Sequence, residues 1–491
     1  MAGAGSFGLA VLAVALIGTA AVLSNRLTER LHIPAPVIFL ICAAVASDIW
    51  PRLYGLPVRT VGQIVSVALA VILFDGGMHI GGRRFRSSAG AVLWIGLAGT
   101  LVTAAAAALA AHFALGIDWR LSLLLGTALA PTDPAVVFSV LGRREIAGRT
   151  GTLLEGESGA NDPVGIALMV ALLGTTAGGL PAAGDVVAHF LEQMLIGGVA
   201  GIAGGLALLA FMRRVPLPSE GLYSLRVLFG VLVIFGVATA AHGSGFLAVF
   251  AAGILIGDQR APYKREIQRF HASLASLGEI VAFALLGLTI SVRGLADGGV
   301  WWTGLALAVI LAFAVRPLFV GLLLWPVRLR RSERAFVLWT GLKGAVPILL
   351  GSFILDHGLT GARRAYEIIF VVVAFSVIVQ GGSVPLLARR LGIPLRTVEP
   401  EPWSLGVRFQ EEPEVVHRYR VQQGSAADGE ALDVLPWGED VWISMIIRAG
   451  RLVAVRNSTV LEAGDEVLVL SEDPPGLGGI FTRDAGSQSA D

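Results

Sequence analysis

The sequence predicts an all-α membrane domain of about thirteen transmembrane helices followed by a small soluble α+β domain. Three observations carry this. Over 491 residues the chain is 55% hydrophobic and 15% charged, with a mean hydropathy of +0.75, more apolar surface than a water-soluble core can hide. Apolar stretches of bilayer length recur up to about residue 390. Beyond residue 391 prolines mark a linker, and a charged, half-apolar segment follows. Lys plus Arg (37) nearly balance Asp plus Glu (36), so net charge gives no argument for a nucleic-acid partner.

The candidate spans lie near 6–24, 35–50, 61–80, 90–112, 120–141, 151–178, 187–212, 224–241, 245–258, 271–291, 300–325, 333–355 and 366–388. The second and ninth are short. Loop charge checks the count independently, because cytoplasmic loops collect Lys and Arg. After the odd-numbered spans come Arg26/Arg30, Arg83/Arg84/Arg86, Arg143/Arg144/Arg149, Arg213/Arg214, Arg260/Lys264/Arg265, Arg328/Arg330/Arg331 and Arg389/Arg390/Arg396. The loops after even-numbered spans hold far fewer. This alternation places the N-terminus outside and the C-terminus inside. No positive n-region precedes the first apolar run, which reads as a retained span rather than a cleaved signal. Cys42 is the only cysteine, so there is no disulfide framework or cysteine metal cluster; in its apolar run it reads as a small buried hydrophobe.

The domain boundaries follow: a transmembrane domain over 1–390, a linker over 391–403, a soluble domain over 404–475 and a disordered tail over 476–491. In the soluble domain VWISMIIR (441–448), RLVAVR (451–456) and DEVLVL (465–470) read as strands, with Ala449-Gly450 as a tight turn between the first two. The tail is rich in Gly, Ser, Asp and Ala, a composition that reads as disorder.

Ionisable side chains inside spans cost about 2.5 to 3.5 kcal/mol each on insertion scales, so each needs a reason. Those that stand out are Asp75, Asp133, Glu157, Asp162, Arg316 and Lys343. Pro131 and Pro134 bracket Thr132-Asp133, and Gly341, Gly344 and Pro347 surround Lys343, so spans five and twelve are expected to unwind mid-membrane. Irregular backbone at that depth survives only where it is buried in protein or lines a watery cavity. Paired interruptions in two halves point to a transporter of inverted-repeat design.

Glu157, Ser158, Asn161 and Asp162 fall within one and a half turns of span six, with Ser158 and Asp162 on one face. A carboxylate, a hydroxyl, a threonine from the broken span and freed carbonyls are the hard oxygen ligands that replace water around an alkali cation. Burial disfavours the charged carboxylate, so a proton and a cation compete for Asp162, and that competition couples their fluxes provided the empty, charged carboxylate disfavours the crossing between inward- and outward-facing states. Glu157 is expected to pair with Lys343, with Arg316 also needing a counter-charge; the other reading makes Glu157 itself an ion ligand. Asp75 is either a site ligand or a rim charge, and Asp133 beside Pro134 serves to neutralise a helix end. Gly197, Gly201 and Gly205 mark close helix packing, internal or at a dimer interface. Near-matches to a dinucleotide loop at Gly3–Gly8 and a hydrolase elbow at Gly156–Ala160 lack the strand each needs.

The segments APTDPAVVFSVL (130–141), GESGANDPVGIAL (156–168) and GLKGAVPILLG (341–351) together resemble the monovalent cation/proton antiporter-1 family. The soluble segment resembles a TrkA-C (RCK C-terminal) domain, a combination similar to NhaP2-type potassium/proton antiporters. The resemblance implies an NhaA-like fold, a homodimer in the inner membrane and an alkali cation (potassium or sodium) bound by Asp162, Ser158 and Thr132, with Asn161 and Asp133 shaping the site. It implies electroneutral exchange, since Asn161 precedes Asp162, and a lysine at 343 where arginine is usual. The short soluble module implies no NAD requirement and no cofactor, leaving open an unknown ligand of that module. The rival reading is a cation channel gated by a cytoplasmic module; an enzyme would need a nucleophile–base set that the spans lack.

Overall fold

The computed structural model describes residues 34–49, 57–141, 144–146, 149–174, 182–259, 261–296, 299–327, 329–397, 416–437, 441–471 and 477–482, with a few positions between 8 and 19. The chain divides into two compact units, Met1–Gly406 and Val407–Asp491.

Among the described residues, the α-helices of eight or more residues in the first unit are α1 (Ala35–Ile49), α2 (Val58–Leu93), α3 (Thr100–Leu115), α4 (Trp119–Ala128), α5 (Pro134–Leu141), α6 (Arg149–Gly174), α7 (Ala183–Arg214), α8 (Glu220–Ala240), α9 (Gly245–Gly257), α10 (Lys264–Leu288), α11 (Val300–Ile310), α12 (Arg331–Trp339), α13 (Ala345–Asp356), α14 (Ala362–Phe375) and α15 (Gly382–Arg390). Among the described residues seven helical stretches are long and apolar enough to cross a membrane: Val58–Arg83, Gly90–Leu115, Ala183–Arg214, Glu220–Ala240, Lys264–Leu288, Val300–Leu323 and Ala362–Arg390. The other apolar helices fall short for local reasons. The backbone leaves the helix between α4 and α5 and between α12 and α13, α6 carries a run of polar residues, and α1 and α9 are only 15 and 13 residues long. The first candidate span lies almost wholly outside the described residues.

The glycine stripe of α7 packs internally. A Cβ at Gly197, Gly201 or Gly205 would meet the backbone of Ser244, Ala248 or Ala252, the matching four-residue repeat along the start and body of α9. Small residues let two helix backbones approach closely. Cys42, expected inside, is exposed. In a membrane protein an apolar run does not imply burial within the protein, because lipid solvates the outer face.

Two short strands, β1 (Arg144–Ile146) and β2 (Leu395–Thr397), pair antiparallel within the first unit, tying the start of the expected linker to the loop after α5. The second unit is a four-stranded antiparallel sheet of order β3-β6-β4-β5, with β3 at Val416–Arg420, β4 at Trp442–Arg448, β5 at Arg451–Val453 and β6 at Glu466–Leu470. Ala449 (φ 48°) and Gly450 (φ 78°) make the β4–β5 turn, the two positive φ values that match strand twist in a two-residue hairpin. Arg448 holds β6's edge by a forked contact, its Nε 2.9 Å and its Nη2 2.8 Å from the two carboxylate oxygens of the buried Asp465.

The tail expectation needs correcting over 477–482. Leu477, Ile480 and Phe481 are buried in the sheet's core, Phe481 stacks on Tyr419 at 4.7 Å, and Gln422 and Ala427 donate backbone hydrogen bonds to Phe481 and Ile480. Spacings of three and four in a Gly-rich segment make one helical turn with an apolar face, which composition alone hides.

Candidate functional site

Residues 129–133 and 340–344 are not helical, and the two breaks meet. The backbone N–H of Asp133 donates to the carbonyl of Leu342 at 2.8 Å, so the donors and acceptors freed by the breaks partly satisfy each other, as they must in an apolar medium. Lys343 reaches across to the first break, its Nζ 3.1 Å from the carbonyl oxygens of both Ala130 and Pro131. That places a cation just past the C-terminus of α4, where the helix end is partially negative. Asp133 precedes the N-terminus of α5, and a Cβ on Gly344 would overlap its side chain. Gly344 is the residue before α13, so one carboxylate lies at the start of two helices, where negative charge is favoured.

Asp162 lies in α6 opposite the first break. It is 6% exposed, and its Oδ1 has no hydrogen-bond partner among the described residues. Pro163 follows inside the helix and cannot donate to the carbonyl of Gly159, one turn back. Asn161 donates from Nδ2 to Thr132 Oγ1 at 2.7 Å, joining α6 to the break, while its own Oδ1 is buried without a partner. Ser158, one turn before Asp162, is 5% exposed. Asp133 and Lys343 are the charged groups within electrostatic reach of Asp162. The structure thus brings together Thr132, Asp133, Asn161, Asp162 and Lys343, with Ser158 buried one turn before Asp162 on α6.

The expected Glu157–Lys343 pair is not formed. Glu157 instead meets Arg316, Oε1 to Nη2 at 2.9 Å, both side chains about 5% exposed. Arg316 also donates from Nε to the carbonyl of Leu338 at 2.9 Å and from Nη2 to that of Val337 at 3.2 Å, so it caps the end of α12 as Lys343 caps α4. A guanidinium offers several donors in a fixed fork and serves a carboxylate and two carbonyls at once, whereas an ammonium is a point charge. Spacing along the chain could not show which cation each break would face. Asp75, in α2, is buried; its backbone carbonyl and its Oδ2 lie 2.9 Å and 3.4 Å from Nδ1 of His79.

Three stretches wind as π-helices among the described residues: Trp94–Gly99, Leu311–Val320 and Ser376–Gly381. All three serve this site. The second carries Arg316. The third supplies Ser376, whose Oγ accepts from the backbone N–H of Lys343 at 3.0 Å, and Gln380, which accepts from Ser376 at 2.9 Å. In the first, a Cβ on Gly96 would collide with Ala160, next to Asn161. Such one-residue widenings re-aim side chains and recur at functional sites. Sequence reasoning missed Ser376 and Gln380, and also Glu279 of α10, whose Oε1 is buried without a partner and which lies in electrostatic reach of Asp133. The available signal for Glu279 was a carboxylate inside the tenth apolar stretch.

Comparison with known proteins agrees with this architecture. Residues 12–390 match the family model described as sodium/hydrogen exchanger, transmembrane. The chain is 31% identical over 490 residues to the K(+)/H(+) antiporter NhaP of Alkalimonas amylolytica, covering 98% of this chain and 84% of the relative. It is 33% identical over 468 residues to the K(+)/H(+) antiporter NhaP2 of Shewanella sp. (strain MR-4), covering 94% and 80%. Among solved structures it resembles the sodium proton antiporter MjNhaP1 from Methanocaldococcus jannaschii at pH 8, with a TM-score of 0.65 and 22% identity over 78% of this chain and 99% of that one, a likeness of fold. The channel reading finds no support in these relatives. With a family match over most of its length and two broken helices meeting beside a buried carboxylate, the chain belongs to the sodium/hydrogen exchanger family and is a multi-pass membrane cation/proton antiporter.

Proposed function

We propose that the chain exchanges one potassium ion for one proton at Asp162, with Ser158 and Thr132 as further cation ligands and Asn161 and Asp133 holding the site in shape. The observation that carries this is the buried, partnerless Oδ1 of Asp162, next to the Asn161 whose side chain bonds Thr132 in the first break. Charge accounting supports the stoichiometry. Glu157 is offset by Arg316, and the carboxylate of Asp162 takes one monovalent cation or one proton at a time. Both loaded states then carry the same net charge, and a crossing that is open only to loaded states moves no net charge. The names of the two relatives favour potassium; the Na(+)/H(+) antiporter NhaH of Halobacillus aidingensis, 26% identical over 343 residues, keeps sodium in the test.

The same reading takes the chain as thirteen spans in the inner membrane, N-terminus outside, with an NhaA-like inverted repeat whose unwound helices cross at residues 129–133 and 340–344. It takes the protein as a homodimer and the C-terminal unit as a cytoplasmic TrkA-C-like regulatory module. The test is proton flux in proteoliposomes read by a pH dye. Potassium should drive exchange that a potential clamp leaves unchanged, and Asp162→Asn should abolish it in protein that still elutes as a folded species. Exchange retained by D162N would refute the site; recovery that appears only with a proton shunt would mean uncoupled cation leak.

A further inference from the structure

A groove opens on the flank of the first unit between two pairs of helices. α1 packs along α10: a Cβ on Gly287 would meet the backbone of Leu40, and Ser47 donates from Oγ to the carbonyl of Ile290 at 2.7 Å. α11 packs along α14, where a Cβ on Gly304 would overlap the side chain of Val371. Between the pairs lies a cavity of about 470 Å³. Ile41 and Val45 of α1 form one wall; Leu305 of α11, Phe370 and Phe375 of α14, and Val379 of the π-helical stretch that follows form the other. Among the described residues no polar group reaches its surface. From Phe370 to Val379 the wall runs about 13 Å, at a helix's ~1.5 Å per residue, close to the depth of one leaflet of a hydrocarbon core about 30 Å thick. Trp301 and Trp302 stand at one end, 42% and 77% exposed, and tryptophan marks the level where lipid meets water. On the loop-charge orientation this end faces the outside.

Such a groove does not stay empty. A void lined by apolar groups forfeits the dispersion contacts its lining would otherwise make, and water finds no partner in a wall without polar groups. A helix about 10 Å across would need on the order of 1,000 Å³ over the same length, so neither a second copy nor another span of this chain seats its backbone there. A single hydrocarbon chain is the filler that a bilayer supplies at this depth and width. The rim carries charge to match. Arg293, next to the lining residue Val292, is exposed, and its backbone N–H donates to Asp48 Oδ2 at 2.8 Å. A guanidinium beside a carboxylate fits the phosphate and ammonium of a zwitterionic headgroup. The groove also touches the exchange machinery from behind. Phe375 has the groove on one side and, on the other, a cavity of about 20 Å³ lined by Arg316, Lys343, Ser376 and Gln380 among others. Ile378 and Val379 line the groove from the same π-helical stretch as Ser376, whose Oγ accepts from the backbone N–H of Lys343 at 3.0 Å.

We propose that one acyl chain of a zwitterionic phospholipid, its phosphate on Arg293 and its ammonium on Asp48, occupies this groove and braces the π-helical stretch behind Lys343. Occupancy then sets how fast the exchanger turns over and leaves its cation affinity alone. Full-length protein is reconstituted in phosphatidylethanolamine vesicles holding a trace of the same lipid with a diazirine midway along one chain, then photolysed and mapped by peptide mass spectrometry. Label on the groove is expected at about fivefold or more the density found on α7 around Leu195, which is 70% exposed. Val45→Trp fills the groove from α1 and should cut its label about fivefold. The same variant should lower the maximal exchange rate about threefold with the potassium KM unchanged, because a fixed ring cannot follow two separate walls as a mobile chain does. Leu305→Trp fills the groove from α11 and repeats the test if V45W does not elute as a folded species, whereas Leu195→Trp should alter neither readout. Groove label no denser than on α7, or unchanged in the filled variants, would overturn the site as ordinary bilayer contact. Lost label with unaltered exchange would overturn the bracing role, and displacement of the probe by an equal share of phosphatidylglycerol would overturn the headgroup. The label is independent of Asp162 as the exchange site: Asp162→Asn should keep it while exchange is lost.

Discussion

Removing Arg316 should strand Glu157. In the native protein one guanidinium satisfies the Glu157 carboxylate at 2.9 Å and the carbonyls of Leu338 and Val337 at 2.9 and 3.2 Å, with all of these groups out of contact with the surroundings. Breaking a buried pair from one side costs about 3–5 kcal/mol, because the remaining charge is left without compensation. Arg316→Met should therefore destabilise by about that amount, a fall of about 4–6 °C in apparent melting temperature on the size scaling of globular domains. Glu157→Gln should cost less, about 1–2 kcal/mol, since the amide oxygen still accepts from Arg316 and the two carbonyls stay capped. In the double variant neither charge is buried alone, so the cycle should show a coupling of about 2 kcal/mol or more. Tryptophan fluorescence during thermal unfolding of detergent-purified protein reads all four species. Wild-type stability in R316M would refute the reasoning. Strong coupling of E157Q to Lys343→Met, with none to R316M, would restore the pairing expected from sequence.

Gly344→Ala places a Cβ where the Asp133 side chain lies and should lower the transport rate by at least tenfold, measured by dye-monitored exchange at matched protein. Asn161→Ala removes the donor that holds Thr132 Oγ1 at 2.7 Å and should raise the cation KM about fivefold while exchange remains insensitive to a potential clamp; an unchanged KM would take Thr132 out of the ligand set. Gly201→Val should push α7 from α9 and cost about 1–3 kcal/mol by overpacking, seen as a lower melting temperature; no change would mean the helices can separate freely. Glu279→Gln should keep one-for-one exchange, and its loss would add Glu279 to the coupling machinery.

Hydropathy and loop charge were enough to read a membrane domain, because no water-soluble fold can bury so much apolar surface, and the interruptions at Pro131/Pro134 and Gly341/Gly344 were legible because proline and glycine act on the backbone locally. The cluster of Ser158, Asn161 and Asp162 was legible for the same reason: helical spacing places residues three and four apart on one face whatever surrounds them. Relations between distant segments were a different matter. That Arg316 rather than Lys343 meets Glu157, that the glycines of α7 pack on α9, that Ser376 supports Lys343 and that Phe481 closes the core of the C-terminal sheet all depend on contacts between residues far apart in the chain. Charge complementarity names the candidates for such a contact, but two cations and several carboxylates allow several pairings. Only the packed helices, by setting which donor reaches which acceptor within about 3 Å, choose among them.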